Sequence, residues 1–294
     1  MLRGAFPVMI TPMNQDQSID YVGLRDNVQF YLSQGVKGLI PLGSTGEFVS
    51  LARHERYKVA ETVLAEVAGR VPVVVGTAAE TTHDTIEYTK HAKEHGAAGA
   101  MVINPYYMKP KPDEIFAHYR ALTEAVDLPI LAYNNPWTTG VDMPLDLLVK
   151  IGTELPNVFG IKESSGDIRK LRDMIRLGEG KVVGWCGWDD LAMESFLVGA
   201  VGWVSVAGNV IPGMVTELHD IAVEKGDWKA GWALYQKMLP LCHMIEDSGK
   251  LVQVVKTAMG RIGQAGGPAR SPRSPLNAAE MAKLDAVLKG ANLI

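Results

Sequence analysis

Four stretches of this 294-residue chain place reactive side chains directly after apolar runs. Residues 158–167 read VFGIKESSGD. They start as a buried strand should, with Val158, Phe159 and Ile161, and then deliver Lys162. A lysine is almost never fully buried without a partner. Desolvation favours the uncharged form of an amine, and an uncharged amine attacks carbonyl carbons. The product is a Schiff base. Its protonated form is an electron sink that permits carbon–carbon cleavage or formation, and proton removal at the adjacent carbon. Such an adduct needs a proton shuttle, and Tyr133, which opens YNNP (133–136) at the end of another apolar run, is of the right type. A third run ends in GSTGE (43–47), whose turn glycines, two hydroxyls and backbone N–H groups near a helix start suit a carboxylate or a phosphate. There Glu47 reads as a loop-ordering group rather than a base. A fourth run ends in NPYY (104–107).

These ends must be gathered by a scaffold. Eight short β-rich segments recur along the chain: 5–10, 38–43, 72–77, 99–104, 129–134, 158–163, 181–187 and 202–208. They are continuous apolar runs, as parallel strands covered on both faces require. Helical patterns separate them, for example 20–34, 53–68 and 83–95, the first and last stopping at Gly35 and Gly96. In 20–34 the residues Val22, Leu24, Val28, Tyr31 and Leu32 are expected near one buried face. Eight such units in a chain of this length predict an α/β fold, a (β/α)₈ TIM barrel, typically about 250 residues. A doubly wound sheet is the alternative. It would show a glycine-rich phosphate loop after its first strand, and residues 11–19 contain no glycine. The barrel is expected over 1–224. Residues 225–294 are expected as a helical extension packed on it (227–247, 250–263 and 277–291), with an irregular connection at 264–275. In a barrel of this kind chemistry sits where the strands deliver their C-terminal ends, so the four reactive stretches should share one rim with GWDD (187–190) and AGN (207–209).

Composition narrows the function further. The chain is 47% hydrophobic and 21% charged with net charge −4, and no basic stripe suggests nucleic acid or a membrane surface. No apolar run approaches the roughly 18 residues a membrane span needs, and the N-terminus lacks the apolar core of a signal peptide. A cytoplasmic protein is expected. Cys186 and Cys242 are too far apart in sequence for a metal-type pair. His91 and His95 stand four apart among Lys90, Lys93 and Glu94, which reads as a solvated face. Asp189 and Asp190 are expected to cap the helix that follows them. Trp185 reads as core and Trp188 as part of the barrel mouth.

GSTGE, NPYY, YNNP and the lysine of GIKESSGD together resemble the dihydrodipicolinate synthase/N-acetylneuraminate lyase family of class I aldolase-type barrels, and the resemblance spans the whole chain. It implies a Schiff-base enzyme without metal or organic cofactor, built as a homotetramer, a dimer of dimers. It implies that Lys162 forms the Schiff base and that Tyr133 relays protons. Ser44 and Thr45 would hold the 2-oxo acid carboxylate, with Ser44 in hydrogen-bond range of Tyr133. Tyr107 would reach into a neighbouring subunit's site. Gly46, Thr138, Gly187 and Val204 complete the substrate-binding set that the resemblance suggests.

One position departs from the family's lysine-biosynthetic members. Their loop after YN-x-P carries an arginine that grips the second substrate's carboxylate, whereas this chain reads YNNPWTTGVDM, with Thr138 there and Trp137 beside it. A threonine cannot make the bidentate contact, which argues against 4-hydroxy-tetrahydrodipicolinate synthesis. The wording of YNNPWTTGVDM, IKESSGDI and GWCGWDD is closer to catabolic members. The expected substrate is a 2-oxo acid or its cyclic imine, with 1-pyrroline-4-hydroxy-2-carboxylate deamination as the leading choice. Aldolases or dehydratases of 2-keto-3-deoxy sugar acids, N-acetylneuraminate or arylidene pyruvates are the alternatives. A non-catalytic 2-oxo acid-binding barrel would have no use for a desolvated lysine beside a tyrosine. A phosphate-binding barrel would want glycine-rich loops after its last two strands.

Overall fold

In a computed structural model, described for residues 2–294, seven parallel strands form one curled sheet. They are β1 (Gly4–Pro7), β2 (Val74–Gly76), β3 (Gly99–Ile103), β4 (Ile130–Asn134), β5 (Val158–Glu163), β6 (Gly184–Cys186) and β7 (Gly202–Ser205). Their order is β1-β7-β6-β5-β4-β3-β2. The remaining expected strand, at 38–43, is present only as two bridges. Ile40 pairs with Val8 and Leu39 with Val73, both parallel. Ile40 N–H donates to Pro7 O and Val74 N–H to Leu39 O, each at 2.9 Å. This short segment lies between β1 and β2 and closes the TIM barrel. It is brief because Pro41 has no N–H to extend a ladder and Leu42 turns into the left-handed region at φ 62°.

The strands are buried almost throughout, which explains their uninterrupted apolar sequence. Glycines let the packed layers approach. A Cβ at Gly202 would sit 2.5 Å from the Trp185 ring, and that ring is fully buried. Helices fill the connections, with ends marked by local chemistry. Asp20 accepts the Gly23 N–H at 2.8 Å to start the helix Tyr21–Ser33, and Gly35, at φ 74°, follows its end. In that helix Leu24, Val28 and Tyr31 are buried but Val22 is 62% exposed. Two residues advance a helix by about 200°, so Val22 lies opposite Leu24 and not beside it.

The C-terminal residues form the helices Trp228–Asp247, Leu251–Arg261 and Ala278–Gly290. Asp227 caps the first, and Asn277 with Glu280 forms a capping box on the last. The irregular connection between the last two is tied down. The Arg270 guanidinium grips the Glu55 carboxylate through two nitrogens at 2.7 and 2.9 Å. No helix among the described residues is long and apolar enough to cross a membrane.

Candidate active site

Register decides the centre of the site. In the β4–β5 ladder Tyr133 stands directly opposite Lys162. Neighbouring residues at one level of a parallel pair point to the same face, so both side chains enter the barrel mouth together. Lys162 is 4% exposed, and its Nζ lies 3.8 Å from the centroid of the Tyr133 ring. No carboxylate lies within ion-pair distance of that nitrogen among the described residues, although its charge is felt by Asp189 and Glu246. Glu163, next in the strand, points the other way. It accepts from the Asn134 amide at 2.9 Å, and burial raises its carboxyl above the usual range.

A cavity of about 490 Å³ opens over this pair. Ser44, Thr45, Thr138 and Gly187 line it, as does Trp188. The GSTGE segment makes a tight turn in which Gly46 N–H donates to Gly43 O and Glu47 N–H to Ser44 O. The amides of Ser44 and Thr45 donate to no protein group among the described residues. Gly46 itself stays behind the turn, its carbonyl accepting from the Thr11 hydroxyl at 2.8 Å. Gly187 leaves room for the lysine. A Cβ there would meet Ser164 Oγ at 1.8 Å and Lys162 Cε at 2.6 Å.

Several expectations shift. The Ser44 hydroxyl makes no hydrogen bond to protein among the described residues. Tyr133 OH instead accepts from the Asn135 side-chain amide at 2.7 Å. Asn135 also caps the short helix Pro136–Thr139, accepting the Thr138 N–H at 3.1 Å. The cap turns the asparagine back over its own strand, within reach of the phenol. Val204 does not line the cavity. It is buried against β1 opposite Phe6, and Val206, two residues on, lines the mouth in its place. Tyr107 lies outside the cavity and is 86% exposed beside the exposed Met108. Neither Asp189 nor Asp190 caps the helix Ala192–Leu197 that follows, whose N-cap position is Leu191. Asp189 is buried and accepts from Trp203 Nε1 at 2.8 Å and from the amides of Val206 and Ala207, pinning β7's end to the turn after β6. Trp185 is core as expected. Both cysteines are buried free thiols, and burial pushes Cys186 up to about 12.

The C-terminal helices and the connection between the last two supply part of the wall, which residue type and spacing do not announce. Glu246, Gln253 and Arg273 line the cavity. Lys256, 1% exposed, reaches the fully buried Glu47 at 2.7 Å, with Arg273 at 3.4 Å from its other oxygen. Glu47 therefore holds the turn, in a left-handed backbone at φ 58°. On the outer helices Glu61 joins His91 and His95, with His91 Nε2 2.9 Å from Glu61 Oε1.

Comparison with known proteins agrees with this architecture. The chain matches the Dihydrodipicolinate synthetase family over residues 1–291. It is 36% identical over 290 residues to 4-hydroxy-tetrahydrodipicolinate synthase of Methanosarcina acetivorans, covering 98% of both chains. Among solved structures it resembles dihydrodipicolinate synthase of Acinetobacter baumannii in complex with pyruvate, with TM-score 0.95, 33% identity and full coverage of both chains. The dihydrodipicolinate synthase of Aquifex aeolicus is similar at TM-score 0.95 and 32% identity, with 99% of each chain covered. The chain belongs to the dihydrodipicolinate synthetase family and is an enzyme of that family's type, a lyase that works through a lysine Schiff base.

Proposed function

We propose that Lys162 is the Schiff-base lysine of a catabolic 2-oxo acid lyase, and that its substrate is a 4-hydroxylated 2-oxo acid or the cyclic imine of one. The observation that carries this is the β4–β5 register, which sets the buried amine over the Tyr133 ring at 3.8 Å. The amine attacks C2, and Tyr133, steadied by Asn135, moves the protons. The amides and hydroxyls of Ser44 and Thr45 hold the C1 carboxylate in the turn that Glu47 fixes. Thr138, Trp137 and Trp188 bound the far end, where an aromatic pair with ring centroids 6.1 Å apart gives an apolar edge. In its leading form the reaction is the deamination of 1-pyrroline-4-hydroxy-2-carboxylate. Lys162 opens the ring at C2, the 4-hydroxyl leaves through the enamine, and hydrolysis releases ammonia and 2-oxoglutarate semialdehyde. The exposed Tyr107 suits the role of reaching into a neighbouring subunit in a cytoplasmic homotetramer, and no metal or organic cofactor is required by this chemistry.

The test has two steps. Borohydride with pyruvate should trap a covalent adduct on the parent and none on Lys162→Ala. The parent should then release ammonia from the cyclic imine. An absent adduct refutes the Schiff-base assignment. Brisk cleavage of a 2-oxo-3-deoxy sugar acid without ammonia release transfers the protein to the aldolases. The synthase activity named for the Methanosarcina acetivorans relative is the second reading, favoured by 36% identity over 98% of both chains. Thr138 opposes it, because a threonine hydroxyl cannot supply the bidentate grip that an arginine gives a carboxylate.

A further inference from the structure

Glu246 lies near the end of the helix Trp228–Asp247 and faces the cavity that holds Lys162 and Tyr133. Its Oε1 accepts the Asp189 backbone N–H at 2.8 Å. Its Oε2 makes no hydrogen bond to protein, and no cation lies within ion-pair distance, among the described residues. This differs from the other deeply set glutamate of the site, Glu47, which is matched by Lys256. A carboxyl anchored by one oxygen, with the other turned to a lysine-bearing cavity, is placed to exchange a proton with whatever fills that cavity.

Resting on the Schiff-base reading of Lys162, we propose that Glu246 is the acid that protonates the hydroxyl leaving C4 of the lysine-bound substrate, so that the site performs elimination. The step balances within the adduct. Tyr133, having given its phenolic proton to the group displaced from C2 as the iminium formed, takes a proton from C3 and gives the enamine. The enamine pair forms the C3–C4 double bond as the C4–O bond breaks. Glu246 gives its proton to the departing oxygen, and one water leaves. The conjugated iminium and the Glu246 carboxylate remain, and solvent at the mouth restores the proton. A condensing enzyme has no hydroxyl to expel and needs no such acid.

The surroundings suit the role. Burial, and the charge of Asp189 beside it, raise the Glu246 carboxyl well above the usual carboxylate range, so it keeps its proton at neutral pH. Asp189 carries three N–H donors and is the better place for the charge of the pair. Two carboxyls whose environments separate them in this way are a recurrent acid–base arrangement. The other groups facing Glu246 are Asp190, which also raises it, Lys162, which opposes the rise, Cys242 on its own helix and Cys186 on β6. Lys256 on the next helix is occupied by Glu47.

The experiment compares the parent with Glu246→Gln, which keeps the shape and the acceptor for the Asp189 amide. Both proteins should form the pyruvate adduct that borohydride traps, which shows that Lys162 remains reactive in the variant. Turnover of the 4-hydroxy imine, or of a 4-hydroxy-2-oxo acid, should fall by about 10²–10³ in the variant, as removal of a general acid does. The parent's kcat should decline on the alkaline side as Glu246 ionises, and the variant should lose that limb. A 4-chloro substrate, whose leaving group needs no proton, should react at nearly equal rates in both. Equal losses on the hydroxy and chloro substrates would show a structural role only and overturn the proposal. Turnover of the hydroxy substrate within about threefold of the parent, below any general-acid contribution, would overturn it too. A parent that forms the pyruvate adduct yet leaves every 4-hydroxylated substrate unchanged overturns the assignment of Glu246 while leaving that of Lys162 intact. A parent that forms no adduct overturns both.

Discussion

Lys256→Met should damage a turn that stands 209 residues away in sequence. Glu47 is fully buried, and its backbone is left-handed at φ 58°, a conformation that non-glycine residues adopt at a cost. Three donors hold it: Lys256 Nζ at 2.7 Å, the Arg270 backbone N–H at 2.9 Å and an Arg273 nitrogen at 3.4 Å. Removing the ammonium leaves an anion out of water with one backbone amide and one long guanidinium contact. Breaking a buried pair by deleting one partner costs about 3–5 kcal/mol. Arg273 can move closer to Glu47, so the lower end, about 3 kcal/mol, applies. At about 2 °C per kcal/mol for a chain of this size, the melting temperature should drop by about 6 °C. Removing both charges, in Glu47→Gln with Lys256→Met, should recover much of the loss, because no unpaired charge is then buried. Thermal melts of the three variants read the stability. Pyruvate trapping at graded concentrations reads the turn, since Ser44 and Thr45 lie within it, and half-saturation should rise in Lys256→Met. A single variant that melts within about 1 °C of the parent, far less than a broken buried pair implies, or a double variant no better than the single, would refute the reasoning.

Two further substitutions probe the mouth. Gly187→Ala puts a Cβ within 2.6 Å of Lys162 Cε; the strain should cost about 1–3 kcal/mol and the displaced amine about 10² in the rate of pyruvate adduct formation, and adduct formation at the parent's rate would show that the glycine does not set the lysine's position. Thr138→Arg should leave pyruvate trapping unchanged while raising condensation with a carboxylate-bearing aldehyde by about 10- to 100-fold, the worth of one charged hydrogen bond, and no gain in a steady-state assay would mean that Thr138 does not set the choice of second substrate.

The strand sites were legible for a physical reason. In a parallel strand buried on both faces every residue should be apolar, so Lys162 at the end of VFGI stands out at once. Closure of the barrel is legible too, because the sequence holds eight apolar segments, although the one at 38–43 pairs through only two residues. Orientation around a helix is less legible. Val22 belongs with Leu24 to one apolar helical pattern, but the 200° between them puts it in solvent. The partners of Tyr133 and Asp189 were beyond reach for a different reason. Asn135 and the Val206 and Ala207 amides bond through turn geometry that residue type alone does not fix.

Glu246 and Lys256 carry the same kind of anomaly on helices. A charged residue in a helix is unremarkable in sequence, since half the surface of most helices is polar. Its phase is the informative quantity. Glu246 falls four residues after Cys242 and eight after Met238, both buried, and so continues an apolar stripe. Lys256 falls four after Val252 and three before Met259, also both buried. Each is a charge where the periodicity demands a dry side chain, which is the anomaly that singled out Lys162 in a strand. What the phase does not reveal is the outcome. Lys256 finds an opposite charge from a distant turn and becomes structural, while Glu246 finds only an amide and a cavity. The difference rests on tertiary placement, and it is why one of two equally anomalous residues is assigned to the fold and the other to the chemistry.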